Sequence, residues 1–161
     1  MKGTKRSVVM IAAVVVAMAL PGCASMSPVE QNKRIVQRVF DEVLNQGRYE
    51  LFDEAYAPDF VKHVDGKSES LAEEREDARG TRAISSDLVM TVDAMVAESD
   101  KVAVLYSGRG THDGPLGDVP ATGRAFVLTG MTLYRFAGGK VVEEWTVYNE
   151  LEMLRQIGLS P

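Results

Sequence analysis

The sequence contains a single cysteine, Cys23, and only two histidines, His63 and His112. It has no CxxC pair, no phosphate-binding Walker loop and no glycine-rich dinucleotide fingerprint. A Ser/His/Asp triad motif, an internal repeat and a low-complexity tract are also absent. These absences argue against the common thiol-redox, nucleotide-dependent and serine-hydrolase classes.

Positive charge is also scarce. The chain has 18 Lys and Arg against 23 Asp and Glu, with no basic cluster. This balance argues against contacts with a phosphate backbone, so nucleic acid is not an expected partner. The composition is otherwise that of a globular protein, with 45% hydrophobic residues, and 161 residues suffice for one domain with a core.

Residues 1–22 have the pattern of an export signal. Lys2, Lys5 and Arg6 precede an apolar run over residues 8–20. The run is shorter than the roughly 20 residues that span a bilayer, so we expect it to be removed during export. Its removal leaves 15 Lys and Arg against the 23 acidic residues, a net charge near −8.

The residues around Cys23 resemble the lipobox of bacterial lipoproteins, in which the cysteine is acylated and becomes the new N-terminus. Leu20 and Gly22 fit this pattern, whereas Pro21 is less usual in it. We expect an exported, lipid-anchored protein of the bacterial cell envelope, with residues 23–31 as a lipidated tether. Ala24 favours the outer membrane where the cell has one. The alternative is an ordinary secretory signal that leaves a free thiol.

Helical patterns come first in the mature chain. Ser27-Pro28-Val29-Glu30 predicts a capped helix start, and apolar residues at helical spacing continue to a stop at residues 45–47. A short helix is predicted over residues 49–55, a strand over 60–64 and a turn at Asp65-Gly66. A capping box at Ser70 then predicts a charged helix that extends to about residue 82.

Beyond residue 86 the hydrophobic period changes from 3.6 to two. The alternation predicts four strands, over residues 88–96, 102–112, 126–136 and 141–148. Gly138-Gly139 predicts a two-residue hairpin, and a last helix is predicted over residues 151–157. Helices followed by hairpin-linked strands indicate an α+β fold, with helices on one face of a curved antiparallel sheet.

Five segments in order carry a family resemblance: residues 60–63, 96–104, 110–114 with 120–124, 139–145 and 154–158. Together they resemble the SnoaL-like polyketide cyclase and ester cyclase group of the nuclear-transport-factor-two-like superfamily, from about Asn32 to Leu159. The resemblance implies one domain over residues 32–161, a cone-shaped cystatin-like roll. Its strongly curved antiparallel sheet would wrap around the long N-terminal helix, enclose an apolar pocket and often form a homodimer.

Characterised cyclases of this group close a ring by intramolecular aldol condensation, using acid/base residues without a metal or cofactor. The resemblance therefore implies a small apolar or aromatic carbonyl ligand and an acid/base cyclase or isomerase. The family commonly has Asp four residues after the strand Trp, where this chain has Asn149. A carboxamide cannot exchange a proton near neutral pH. The alternatives are a non-catalytic ligand-binding or assembly module and a structural lipoprotein.

His112, His63 and Asn149 are the candidate catalytic residues. In an uninterrupted strand, His112 shares a face with Tyr106, and two intervening glycines leave a bulge or space for another backbone or a ligand. An imidazole with a pKa of about 6.5 suits a general base or a hydrogen-bond donor to a carbonyl. Each histidine is equally explained as a partly buried residue bonded to a turn carbonyl.

The pocket-lining candidates are aromatic and methionine side chains that core packing would also explain: Tyr106, Trp145, Tyr134, Phe40, Phe60, Met90 and Met131. Trp145 and Asn149 are expected on one strand face, directed towards the cavity. The acidic run over residues 69–77 contains close carboxylates that suit a metal. Arg75 and Arg79 are interleaved with them, which favours a solvated helix face.

Overall fold

The structure is a computed structural model that describes residues 26–159. The predicted export signal and the Cys23 lipidation site lie outside these residues. No helix in the described part of the chain is long and apolar enough to cross a membrane.

Four α-helices are described, and their sequence signals place them well. They are α1 (Pro28–Arg38), α2 (Leu51–Ala55), α3 (Leu71–Ile84) and α4 (Glu150–Ile157). Ser27 caps α1 by accepting a hydrogen bond from the Glu30 amide, and the predicted capping box at Ser70 is present. α1 continues directly into a π-helical segment, Val39–Leu44, which the sequence pattern did not distinguish from α-helix.

Residues 26–159 contain six strands, which form one sheet in the order β2-β1-β6-β5-β4-β3. Their bounds are β1 (Tyr56–Val64), β2 (Lys67–Ser70), β3 (Val89–Glu98), β4 (Lys101–Thr111), β5 (Ala125–Ala137) and β6 (Lys140–Tyr148). β2 was not predicted. The antiparallel prediction is wrong for one pair, because β1 runs parallel to β6. A parallel pair needs a long connection, which the intervening helix and strands provide.

Alternation along the strands gives the sheet an inner face, buried against the helices, and an outer face. On β4, Val102, Val104 and Tyr106 point inward, and on β5 Phe126 and Tyr134 do so. The Phe40 ring of the π-helical segment packs 5.5 Å from the Tyr106 ring. The long N-terminal helix is thus enclosed by the inner face, as the cone-shaped α+β prediction requires.

A bulge in β3 changes which residues face inward. Val92 pairs with Tyr106 and Ala94 pairs with Leu105, so no β4 residue lies opposite Asp93 in the strand register. One extra residue reverses the alternation beyond it. Val96 is consequently 69% exposed on the outer face, and the prediction of one continuous apolar face over residues 88–96 is wrong.

The glycines of β4 accommodate other parts of the protein and leave no room for a ligand. A Cβ atom at Gly108 would lie 2.7 Å from Met90 Sδ, and one at Gly110 would clash with the Ser85 hydroxyl. Close approach of another chain segment, one of the predicted alternatives, therefore explains Gly110. On β5, the Tyr106 phenol lies across Gly130, where a Cβ atom would clash with it.

Candidate functional site

A cavity of about 570 Å³ lies between α3 and the inner face of the sheet. Pockets for small molecules have volumes of roughly 300–1,000 Å³, with apolar walls and a few polar groups. The apolar wall here includes Leu44, Ile84, Leu88, Met90 and Leu128, and the polar lining includes Lys62, Glu69, Asp77, Tyr106, Thr146 and Tyr148. The cavity therefore has the size and character of a small-molecule site.

Lys62 organises the polar end of the cavity. Its Nζ atom lies 2.9 Å from Glu69 Oε2, 2.8 Å from Glu74 Oε2 and 2.9 Å from Asp77 Oδ2. The ammonium donates a hydrogen bond to Asp77 Oδ2 and forms ion pairs with Glu69 and Glu74. The three carboxylates are close enough together to hold a metal ion. In this protein the ammonium of Lys62 lies among them.

This arrangement corrects in part the prediction that the acidic run is a solvated helix face: Glu73, Glu76 and Asp77 are exposed as expected, but Glu69 and Glu74 are not. Glu74 is only 13% exposed and Glu69 21% exposed, because the tight β1–β2 turn brings the start of α3 against Lys62. Burial on its own would lower the pKa of Lys62, but the neighbouring carboxylates, Glu74 foremost, outweigh it and raise this pKa. Burial raises the pKa of Glu74, against the opposing effect of Lys62.

A second acid, Glu144 on β6, lies on the inner face and is only 4% exposed. Its Oε1 atom accepts a 3.4 Å hydrogen bond from Thr146 Oγ1, which is 2.7 Å from Thr132 Oγ1. Its Oε2 atom has no partner among residues 26–159. Burial raises the pKa of Glu144 well above its usual range, and the negative charge of Glu74 raises it further.

Tyr106 and Met90 line the cavity, and Tyr106 supplies a hydroxyl group. Burial raises the pKa of Tyr106 to about 12, with a hydrogen bond from Thr132 acting in the opposite direction. The phenol therefore keeps its proton at neutral pH and can donate a hydrogen bond. Tyr134, Phe40 and Phe60 are buried in the core and do not line the cavity.

His112 does not line the cavity. It is fully buried, and its Nδ1 atom accepts a hydrogen bond from the Thr122 amide at 3.3 Å and lies 3.0 Å from Thr122 Oγ1. Its main chain also bonds to Gly123 and Arg124. These contacts hold the loop between β4 and β5 against the strand end. His112 thus has the structural role that one alternative expected, although it is fully buried and its ring bonds to a turn amide and hydroxyl, not to a turn carbonyl. Its Nε2 atom has no partner among residues 26–159, and its catalytic role is not supported by this geometry.

His63 and Trp145 lie on the outer face, away from the cavity. Their rings stack with centroids 5.3 Å apart, and His63 Nε2 lies 2.9 Å from Glu143 Oε1. Hydrogen bonds from His63 and then Arg135 lower the pKa of Glu143. A bulge at Val142 sets this arrangement, because it directs Glu144 and Thr146 inward and leaves Trp145 outside.

Two further predicted site residues also lie outside the cavity. Asn149 is exposed and caps α4, where its side chain accepts a hydrogen bond from the Glu152 amide at 3.3 Å. Met131 is 50% exposed on the outer face of β5. The placement of Trp145, Asn149 and Met131 in the pocket was therefore wrong, as was that of both histidines.

Sequence reasoning missed Lys62, Glu74 and Glu144. For Lys62 a signal was present, because strand alternation places it on the same face as the apolar Phe60 and Val64. A charged residue at an inward strand position needs a partner, and the acidic run supplies it. Glu144 gave no comparable signal, since its face depends on the bulge at Val142.

The fold and cavity define a class: single-domain α+β cones in which a curved, unclosed sheet and a helix enclose a small-molecule site. A family model described as SnoaL-like polyketide cyclase matches residues 34–157. The chain belongs to the SnoaL-like polyketide cyclase family, which confirms both the resemblance and the predicted fold class. No match was found among curated proteins.

Solved structures of similar proteins agree with this assignment. The chain is 30% identical to IdmH, a proposed polyketide cyclase from Streptomyces antibioticus, covering 80% of this chain and 99% of IdmH with a TM-score of 0.72. AclR, a proposed hydroxylase from Streptomyces galilaeus, is 26% identical over 83% and 99% of the two chains, with a TM-score of 0.76. A proposed SnoaL-like polyketide cyclase from Jannaschia sp. CCS1 is 26% identical over 84% and 98%, with a TM-score of 0.76.

Replacing Lys62 with Met should lower the free energy of unfolding by about 3–5 kcal/mol at pH 7, because it leaves the buried carboxylates without a counter-charge. The deficit should shrink as the pH falls and the carboxylates become protonated. Urea denaturation measures both effects. Lys101→Met is the matched control, since Lys101 forms an exposed pair with Asp100, and it should cost at most about 1 kcal/mol. Equal losses in the two variants would contradict the assigned role of Lys62.

Proposed function

We propose that the domain binds a small apolar or aromatic carbonyl compound in this cavity and acts on it as an acid/base cyclase or isomerase. The supporting observation is the cavity itself, which joins an apolar wall to a polar end with hydroxyl, ammonium and carboxylate groups. Membership of the SnoaL-like polyketide cyclase family is consistent with such a ligand.

The polar lining can supply the groups that this chemistry needs. Removal of a proton next to a carbonyl requires a base, and the enolate oxygen then requires a hydrogen-bond donor. Four acids line the cavity: Asp65, Glu69, Glu76 and Asp77. Asp77 is the candidate base, because it pairs with Lys62 and is 54% exposed, against 21% for Glu69. Tyr106 and Thr146 are two of the lining residues whose hydroxyl groups can donate, along with Thr81 and Tyr148. The positive charge of Lys62 beside them favours a developing negative charge.

Ala78 and Ala72 provide a matched test of the cavity. Ala78 lines the cavity from α3, whereas Ala72 is exposed on the same helix and does not line it. Ala78→Trp should fill the cavity and abolish binding, and Ala72→Trp should not. Binding is measured by thermal shift with a panel of aromatic methyl ketones and β-dicarbonyl compounds. A bound ligand at 100 times its dissociation constant adds about 2.7 kcal/mol of stability.

Deuterium exchange at the carbon next to the carbonyl then separates an enzyme from a binding module. Exchange that requires Asp77, tested with Asp77→Asn, supports the acid/base function. Binding without exchange in the unmodified protein supports the non-catalytic alternative, in which Asn149 has replaced the usual acid. Binding to Ala78→Trp at unchanged affinity would contradict the cavity as the site.

We also propose that residues 1–22 are removed and that Cys23 is acylated, which anchors the domain to the bacterial envelope. The lipobox-like sequence supports this proposal. Cys23→Ser should abolish incorporation of labelled palmitate and release the protein from the membrane fraction. Ser25→Ala, two residues away, should retain both. Palmitate incorporation into Cys23→Ser would contradict the proposal.

We propose, finally, that two copies associate through the outer face. Cross-strand pairing brings Leu105, Met131 and Val147 into one row, and their side chains are 43%, 50% and 67% exposed. Val96 and Trp145 belong to the neighbouring row. Such a contiguous apolar face is typical of an interaction site, and a second copy offers the same surface in return.

Val147→Glu should shift the molar mass measured by light scattering from that of a dimer to that of a monomer, because it places charges in the centre of the interface. Ala72→Glu is the control, since Ala72 lies on α3 at the other side of the sheet. A monomeric unmodified protein at high concentration would refute the proposed dimer.

A further inference from the structure

Glu144 is a buried acid that does not line the cavity. The nearby cation, Lys62, is already bound by the carboxylates of Glu69, Glu74 and Asp77. This cluster holds three acids against one ammonium, so a fourth negative charge beside it would be uncompensated. Glu144 therefore has a strong physical reason to keep its proton.

The groups that face Glu144 reinforce this conclusion. The side chains of Tyr56 and Tyr134 are buried, and burial followed by the charge of Glu144 raises the pKa of both. These phenols stay neutral and offer no positive charge. From α3, Glu74 contributes a negative charge. Among residues 26–159, the charge of Lys62 opposes these effects, but Lys62 is already paired with the carboxylates of Glu69, Glu74 and Asp77.

A chain of hydroxyl groups leads from Glu144 to the cavity. Thr146 Oγ1 lies 3.4 Å from Glu144 Oε1 and 2.7 Å from Thr132 Oγ1. A threonine hydroxyl both donates and accepts, so it can pass a proton along such a chain. Thr146 and Tyr106 both line the cavity.

We propose that Glu144 stores a proton and exchanges it with the cavity through the hydroxyl of Thr146. Glu144 is then a positioning residue that acts through Thr146, and it need not touch the ligand. The catalytic use of this proton rests on the proposed carbonyl chemistry, whereas the exchange with the cavity does not.

In the catalytic use, the carboxylate of Asp77 takes the proton from the carbon next to the carbonyl. The hydroxyl of Thr146 gives its proton to the enolate oxygen and receives one from Glu144, which becomes a carboxylate. One C–H bond is broken and one O–H bond forms on the ligand, with no change in oxidation state. Asp77 releases its proton to solvent, and water in the cavity returns one to Glu144 by the same path.

Infrared spectroscopy tests the stored proton without any ligand. A neutral carboxylic acid gives a C=O band distinct from that of a carboxylate, and at pH 7 this band should be present and should disappear in Glu144→Gln. Glu76→Gln is the matched control, since Glu76 is an exposed acid on α3. Loss of the band in both variants, or in neither, would overturn the proposal.

The path is tested by the rate at which the same band shifts on transfer to D₂O. Thr146→Val keeps the shape of the side chain but removes the hydroxyl, and it should slow the shift at least tenfold. Thr146→Ser should restore the rate, and Thr129→Val, which alters an exposed threonine on β5, should leave it unchanged. An unchanged rate in Thr146→Val would overturn the path through Thr146.

The pH dependence of unfolding gives a second measurement. A carboxyl whose pKa is raised in the folded state stabilises the fold fully below its unfolded pKa, and this contribution is lost as the pH rises through the folded pKa. The free energy of unfolding of the unmodified protein should therefore decrease with pH at pH values above the ordinary pKa of a carboxyl group. Glu144→Gln should remove this decrease. If no ligand is found, the proposed function fails. The infrared and pH measurements need no ligand, so they still test whether Glu144 stores a proton.

Discussion

The attachment of α3 to the sheet through the ammonium of Lys62 is the constraint on which the cavity depends. Lys62 lies on β1, and its partners lie on β2 and α3. α3 has no fully buried residue, so charge holds it over the sheet more than apolar packing does. An apolar helix would settle closely onto the strands, whereas this polar helix leaves space beneath it. The same cluster then gives that space its polar end.

The fold could be predicted largely from the sequence because its signals are local. Helix caps at Ser27 and Ser70, the turn at Asp65-Gly66 and the Gly138-Gly139 hairpin all depend on neighbouring residues, and all are present. Both turns have positive φ angles at both central positions. The parallel pairing of β1 with β6 could not be predicted, because it joins segments about 80 residues apart and leaves no local pattern.

The site was harder to predict because the positions of Trp145 and Glu144 depend on which face of a strand each side chain occupies. A single bulged residue, Asp93 in β3 or Val142 in β6, reverses the alternation, and neither bulge has a sequence signal. Trp145 therefore points away from the cavity and Glu144 into the protein. The rarity of histidine drew attention to His112 and His63, although one secures a loop and the other stacks on Trp145.

The contact between Tyr106 and Gly130 limits how the ligand specificity of this domain could be redesigned. Any larger residue at Gly130 would displace the phenol, so Gly130 fixes the position of Tyr106 in the cavity lining. Two other parts of the lining adapt more easily: the unbranched side chain of Met90 on β3, and the residues of the polar helix α3 on the opposite wall. Longer or bulkier ligands are therefore best accommodated by shortening Met90 or by changing residues of α3, with the hydroxyl groups left in place.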